Sequence, residues 1–268
     1  TSTCTQNVTV KDTQLPTIVC PPNKSLISAD PGKCYATGIV LGAPVVNDNC
    51  GVASVTNDAP VQYPVGTTLV TWTVTDANGN VNTCIQTIKV VDTQSPLIIC
   101  PSSLTDVPAD ATSCSATGLS LGTPVTSDNC GIKSVTNNAP AAFPVGTTIV
   151  TWTATDVHDN TATCMQTVEV ADYTPPTITC PSDLTGILAD AGKCYATGVS
   201  LGTPVTSDNC GVAGVTNDAP AQFPVGITIV TWTVTDNAGL TATCTQSVTV
   251  TDSQAPVITC PANLTAVP

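Results

Sequence analysis

The sequence predicts an all-β chain, a tandem row of antiparallel β-sandwiches held by disulfides. Three observations carry that prediction. Thr and Val are abundant, 22 Pro and 18 Gly punctuate the chain, and no stretch sustains an apolar spacing of three and four residues, so pleated strands and turns are favoured over helices. The chain repeats itself every 80 residues without insertion or deletion, and self-similarity of this kind decides the fold. Each full period holds four Cys, a density that belongs to disulfide frameworks in oxidising, extracellular or periplasmic compartments.

The cysteines give the period directly. Cys4, Cys84, Cys164 and Cys244 form one series, and Cys20, Cys100, Cys180 and Cys260 a second. Cys34, Cys114 and Cys194 form a third, and Cys50, Cys130 and Cys210 a fourth. A period of 80 residues is too long for a solenoid coil and suits a small self-contained sandwich. The boundaries that follow are the end of a preceding copy at 1–12, copies at 13–92, 93–172 and 173–252, and the start of a fourth at 253–268. The opening "TSTCTQNVTV" matches "VNTCIQTIKV" at 81–90, so the chain is expected to begin inside a copy and to be part of something longer.

Within the first copy the strands can be taken in order. "PTIVCP" (16–21) is a short first strand ended by Pro. "CYATGIVLG" (34–42) is a second, whose inward parity switches near Gly38 and predicts a bulge. "VASVTND" (52–58) is a third. "TTLVTWTVTD" (67–76) sets Val70, Trp72 and Val74 on one face and Thr71, Thr73 and Thr75 on the other. "TCIQTIKVVD" (83–92) sets Cys84, Gln86, Ile88 and Val90 on one face. Gln86, repeated as Gln166 and Gln246, is expected to satisfy backbone groups in the core rather than to act chemically.

Four Cys per copy allow two bridges and three pairings. The pairing expected is Cys50–Cys84, on the ground that both lie at one end of the sandwich, which leaves Cys20–Cys34. The other copies follow as Cys130–Cys164 with Cys100–Cys114, and Cys210–Cys244 with Cys180–Cys194. Chain entropy values such bridges at about 3–4 kcal/mol each, comparable to the whole net stability of so small a domain.

The Cys20-Pro21 pair, "DNCG" at 48–51, the strand "PVGTTLVTWTVTD" (64–76) and the closing "TCIQTIKVVD" resemble the hyalin repeat (HYR) family over essentially the whole chain. That resemblance implies an immunoglobulin-like sandwich related to fibronectin type III domains, and an extracellular, cell-surface role in adhesion. "SATGLSLGTPVTSDNC" (115–130) and "YATGVSLGTPVTSDNC" (195–210) differ at two positions of sixteen. Copies so alike resemble the arrays of large bacterial surface adhesins, including those of gliding Bacteroidota.

The residues carry little chemistry. The net charge is −13, with no Arg and a single Glu, Glu169, which argues against nucleic acid and anionic membranes as partners. No apolar run is long enough to span a bilayer. His158, the one His, stands where the other copies have Asn78 and Ala238, and is expected to be a solvated turn residue rather than a general base. No catalytic residue and no enzyme activity are expected. Ca²⁺ is the one cofactor left open. Asp12, Asp92, Asp172 and Asp252 recur at the copy boundaries, and Asp48, Asp128 and Asp208 precede Asn-Cys-Gly. Both sets suit oxygen ligation, yet Asx turns use the same residues. "DANGN" (76–80) raises the same choice, and Asp236 keeps only its first carboxylate. One boundary carboxylate makes a poor Ca²⁺ site, so the turn is the reading taken.

The expected role is a stalk or spacer, an extended rod that projects a binding region from the cell surface, with neighbouring copies of the same chain as its partners. The alternatives are that the copies bind a surface polysaccharide or protein through avidity, or self-assemble into a filament. Aromatic platforms for sugar would separate these, and the candidates are Tyr35, Tyr195, Tyr63, Phe143 and Phe223.

Overall fold

The computed structural model describes residues 1–261, which group into two compact units. The first comprises Thr1–Ser102, Gly122–Ala139 and Val150–Gln166; the second comprises Ser103–Leu121, Pro140–Ile149 and the residues from Thr167 onward. The division passes through the middle copy. Residues 262–268 of the expected fourth copy lie outside the described residues.

In the first unit the first copy forms eight strands: β1 (Thr17–Val19), β2 (Lys24–Ser28), β3 (Tyr35–Thr37), β4 (Val45–Asn47), β5 (Val52–Asn57), β6 (Gln62–Pro64), β7 (Gly66–Asp76) and β8 (Val81–Val91). The main sheet runs β2-β8-β7-β5, and two short pairs, β1–β4 and β3–β6, make the facing layer. β7 and β8 form a long antiparallel hairpin from Gly66↔Val90 to Thr75↔Val81. Its alternation is the one the sequence predicts: Val70, Trp72, Val74, Ile88 and Val90 are buried and the interleaved Thr are not. Ile18, Ala36 and Tyr63 of the short pairs pack onto that face.

Gln86 is fully buried, and it does what its position predicts. Its Nε2 donates to the carbonyls of Pro22 (2.7 Å) and Leu41 (3.0 Å), where the chain crosses between layers without strand partners. Its Oε1 accepts from Trp72 Nε1 at 3.1 Å, a partner that the sequence reading did not supply. A buried indole N–H or backbone carbonyl left unpaired costs about 1–3 kcal/mol, so one amide settles three such groups.

Two local expectations change. The strand expected over 34–42 is only Tyr35–Thr37, because Gly38 turns to φ 65° and ends it rather than bulging it. The irregularities lie instead in β2, where the register with β8 shifts between Lys24 and Ile27 and Leu26 takes φ 58°, and in β5, where the register with β7 shifts between Val52 and Ser54. That β2–β8 pairing is parallel, set in an otherwise antiparallel architecture. β2, β4 and β6 are too short for alternation to reveal them.

The middle copy repeats the order as β9 (Leu97–Ile99), β10 (Leu104–Pro108), β11 (Ser115–Thr117), β12 (Val125–Ser127), β13 (Ile132–Asn137), β14 (Ala142–Pro144), β15 (Gly146–Asp156) and β16 (Thr161–Ala171). In the first unit β12 pairs with β9 and β13 with β15; in the second, β11 pairs with β14 and β10 runs parallel to β16. The third copy lies wholly in the second unit, as β17 (Thr177–Thr179), β18 (Leu184–Leu188), β19 (Tyr195–Ala196), β20 (Val205–Ser207), β21 (Val212–Asn217), β22 (Phe223–Pro224), β23 (Gly226–Asp236) and β24 (Thr241–Thr251). Its main sheet runs β18-β24-β23-β21, with Val230, Trp232, Val248 and Val250 in its core.

The disulfides overturn the expected pairing. Within each copy the bridges are Cys20–Cys84, Cys100–Cys164 and Cys180–Cys244. Cys84 sits opposite Trp72 in the middle of the hairpin, not at the end near Cys50, and it faces the layer that carries Cys20. The remaining bridges join consecutive copies: Cys34–Cys130 in the first unit and Cys114–Cys210 in the second. Cys50 and Cys194, like Cys4 and Cys260, are free and exposed. The expectation that every bridge closes within its own copy is therefore wrong.

The parallel strand explains the crossing. Because β2 runs alongside β8, the chain leaves both at one end, and Ala29 N–H donates to Val91 O at 2.9 Å there. The loop carrying Cys34 then lies beside the segment that leads into the next copy. Gln94 in that segment pins the loop, accepting from Gly32 N–H (2.8 Å) and donating to Asp30 O (3.1 Å). Gln254 makes the same pair of bonds to Gly192 and Asp190.

Candidate functional site

The residues with unusual chemistry gather where one copy meets the next, and the "DNCG" tetrad builds the meeting point. In the first unit Asp128 Oδ1 accepts from the backbone N–H of Cys130 (2.8 Å) and Gly131 (2.9 Å), which closes the loop before β13. Asn129 Nδ2 reaches across to Lys33 O (2.9 Å) and Asp92 Oδ1 (3.2 Å) of the preceding copy. Cys130 makes the bridge to Cys34. Gly131 stands at φ 113°, a region that side chains other than Gly rarely enter. Its carbonyl accepts from Val157 N–H in the β15–β16 turn at 3.1 Å. The tetrad thus touches both the segment before it and the hairpin turn after it.

That arrangement brings three carboxylates together at each junction. Asp12, Asp48 and Asp76 form one group, Asp92, Asp128 and Asp156 a second, and Asp172, Asp208 and Asp236 a third, each with carboxylate oxygens within 4.8 Å of one another. The first member follows the last strand of one copy, the second belongs to the tetrad, and the third opens the hairpin turn. From sequence, the Asp48 kind could join the boundary carboxylate only if the fold brought its loop to the same end; the fold does so, and adds the turn carboxylate as a third. Asp252 accepts from Gln254 N–H at 2.9 Å and belongs to no such group among the described residues.

The Asx turn is present as well. Asp12, Asp92 and Asp172 each accept through Oδ1 from the N–H two residues on, at 3.0–3.1 Å. The turn occupies one oxygen and leaves the other facing the group. What meets that second oxygen differs among the three. At the first, Asn78 Nδ2 donates to Asp12 Oδ2 (3.2 Å), and Asn80 Nδ2 donates to Asp76 Oδ2 (2.7 Å). At the second, His158 Nδ1 lies 3.4 Å from Asp92 Oδ2, which is buried without a hydrogen-bond partner, and Asn160 Nδ2 donates to Asp156 Oδ2 (2.8 Å). At the third, Ala238 and Leu240 stand in those places and supply no donor. Asp172 Oδ2, Asp208 Oδ2 and Asp236 Oδ2 are buried there without a hydrogen-bond partner.

His158 is an exposed residue of the hairpin turn, as expected, and its ring in addition approaches Asp92. Cys130 lies close by but is committed to its bridge and offers no thiolate.

The electrostatics follow the donors. Burial pushes the Asp76 and Asp156 carboxyls up, but the Asn80 and Asn160 amides and the backbone N–H groups of the turn outweigh it, and both end below the usual carboxylate range. Asp12 is held low chiefly by the Gln14 N–H. The Cys50 thiol is pushed up, chiefly by its hydrogen bond to Asp12.

The aromatic candidates for a sugar platform fare unevenly. Tyr63, Phe143 and Phe223 are core residues, each 3% exposed. Tyr35 and Tyr195 are half-buried, and Ser115 replaces them in the middle copy. Among the described residues no helix is long and apolar enough to cross a membrane.

Comparison with known proteins fits this architecture. The HYR domain profile matches residues 11–90, 91–170 and 171–250. Hyalin of Lytechinus variegatus is 33% identical over 225 residues, 80% of this chain and 42% of that protein. Hyalin of Strongylocentrotus purpuratus is 32% identical over 222 residues, 79% of this chain and 18% of that protein. The sushi, von Willebrand factor type A, EGF and pentraxin domain-containing protein 1 of Rattus norvegicus is 30% identical over 167 residues, 59% of this chain and 4% of that protein. The chain thus spans less than half the length of these relatives, all of them animal proteins. Among solved structures, mouse cadherin-23 EC22-24 superposes with a TM-score of 0.36 at 15% identity, covering 89% of this chain and 99% of that one.

Proposed function

The chain belongs to the HYR domain family, and on that premise we propose that it is a non-catalytic structural segment of an extracellular, adhesion-type repeat protein. In its finer form the proposal is a stalk of a large surface adhesin that carries a binding region away from the cell. The observation that supports it best is the pair of bridges between copies, Cys34–Cys130 and Cys114–Cys210. A bridge inside a domain protects that domain. A bridge between domains resists their separation and reorientation, which is what a spacer under tension needs. Five disulfides in one chain also require an oxidising compartment.

The competing reading, that the copies themselves bind polysaccharide, loses three of its five candidate platforms to the core, since Tyr63, Phe143 and Phe223 are buried. Small-angle scattering of the oxidised chain tests the stalk: an elongated particle that shortens or loosens when the bridges are reduced supports it. A compact globule, or a profile indifferent to reduction, counts against it.

A further inference from the structure

We propose that Asp172, Asp208 and Asp236 bind one divalent cation of the Ca²⁺ type at the junction of the second and third copies. The first observation is the convergence of three carboxylates, from the segment after β16, the loop before β21 and the end of β23, with oxygens within 4.8 Å of one another. The second is independent of the first. Asp172 is 7% exposed and Asp236 2% exposed, and each holds an oxygen with no donor; Asp208 has a third. Neither ion pair found among the described residues involves these three.

A carboxylate oxygen that is buried, charged and unpaired is costly, and like charges around it add to the cost. The hydrogen bonds that do exist position the group without neutralising it. Asp172 Oδ1 accepts from Thr174 N–H (3.1 Å) and Asn209 Nδ2 (3.3 Å), Asp208 Oδ1 from Cys210 N–H (2.8 Å), and Asp236 Oδ1 from Leu240 N–H (2.8 Å). In each residue one oxygen is fixed by the fold and the other is left open toward the group. A single divalent cation satisfies all three at once. The donor set is oxygen alone, which excludes soft metals and favours Ca²⁺ or Mg²⁺. Ca²⁺ is the better fit, because it accepts variable geometry and bidentate carboxylates and completes its six to eight ligands with water. Mg²⁺ demands a near-regular octahedron at about 2.1 Å, which three carboxylates on separate elements do not readily supply.

The cation ties the second copy, through Asp172, to the third, through Asp208 and Asp236. Sites in extracellular modules typically bind Ca²⁺ at about 10⁻⁴–10⁻³ M, so the junction would be filled outside the cell and empty in chelator. The test is Ca²⁺ titration of the full 268-residue oxidised chain after treatment with chelator, by calorimetry and by thermal melting, with Mg²⁺ as control. Ca²⁺ is expected to bind and to raise the melting temperature by several degrees at about 100-fold excess over Kd, and Mg²⁺ to do so less. Asp172→Asn and Asp236→Asn are each expected to weaken Ca²⁺ binding by about tenfold or more, while melting in chelator no lower than the wild type, since each removes a repelling charge. Absence of a Ca²⁺ response overturns the proposal. So does a response that survives both substitutions, or variants that lose the same stability with and without Ca²⁺, the mark of a purely structural aspartate.

Discussion

The junction around Asp92 and the junction around Asp172 share a backbone path, a disulfide and three carboxylates, yet they settle their charge differently. At the first, His158 faces Asp92 and the Asn160 amide bonds Asp156. At the second, Ala238 and Leu240 stand in those places, and Asp208 Oδ2 and Asp236 Oδ2 are bare in addition to the boundary oxygen, which lacks a donor at both junctions. The turn side chains therefore go with how many oxygens of the same acidic cluster lack a donor: Asp92 Oδ2 at the first junction, and Asp172 Oδ2, Asp208 Oδ2 and Asp236 Oδ2 at the second. The lesson concerns repeats generally: near-identity of sequence preserves the scaffold, and the few positions that vary sit where chemistry can differ.

The largest test removes what the two junctions share. Replacing Cys34 and Cys130 by Ala, or Cys114 and Cys210 by Ala, opens loops of the same 96-residue separation. Each pair is expected to cost about 4.7 kcal/mol in the chain-entropy limit, measured by denaturant unfolding. A marked inequality between the pairs would show that the covalent link is not equivalent at the two sites.

Asn160→Leu removes the donor to Asp156 Oδ2 and a second bond to Asp92 O at 3.3 Å. It should destabilise by about 1–3 kcal/mol in denaturant titrations. Combined with His158→Ala it makes the first junction a copy of the second, and calorimetry should then count an additional Ca²⁺ per chain. The converse, Leu240→Asn, supplies Asp236 with an amide. It should stabilise the chelator-treated chain by about 1 kcal/mol and blunt its response to Ca²⁺.

The smallest effect concerns acid. Asp76 and Asp156 are held below the ordinary carboxylate value, so their contribution is complete above about pH 4 and is lost as the pH falls through their lowered values. The Asp156→Asn variant should show a shallower loss of stability below that pH than the wild type, followed by melting temperature.

Much of this molecule is legible from its residues. The 80-residue period, the Thr-faced hairpin strand and the buried Gln were all readable, because alternation and spacing are local properties. Short strands such as Val45–Asn47 were not, since three residues carry too little pattern to stand out from loop. The parallel seat of Lys24–Ser28 beside Val81–Val91 was not readable either, because it depends on which edge of the hairpin a distant segment meets.

The amino-acid sequence by itself determined the long hairpin strands, their inward faces, the number of cysteines and the kinds of residue at each turn. Tertiary structure alone decided which cysteines meet and which carboxylates gather. The reason lies in the period. A contact from Cys34 to Cys50 and one from Cys34 to Cys130 differ by a whole repeat, and in a periodic sequence both partners have the same surroundings. Only the direction in which the chain leaves a parallel edge strand separates them, and that direction is a property of the folded sheet.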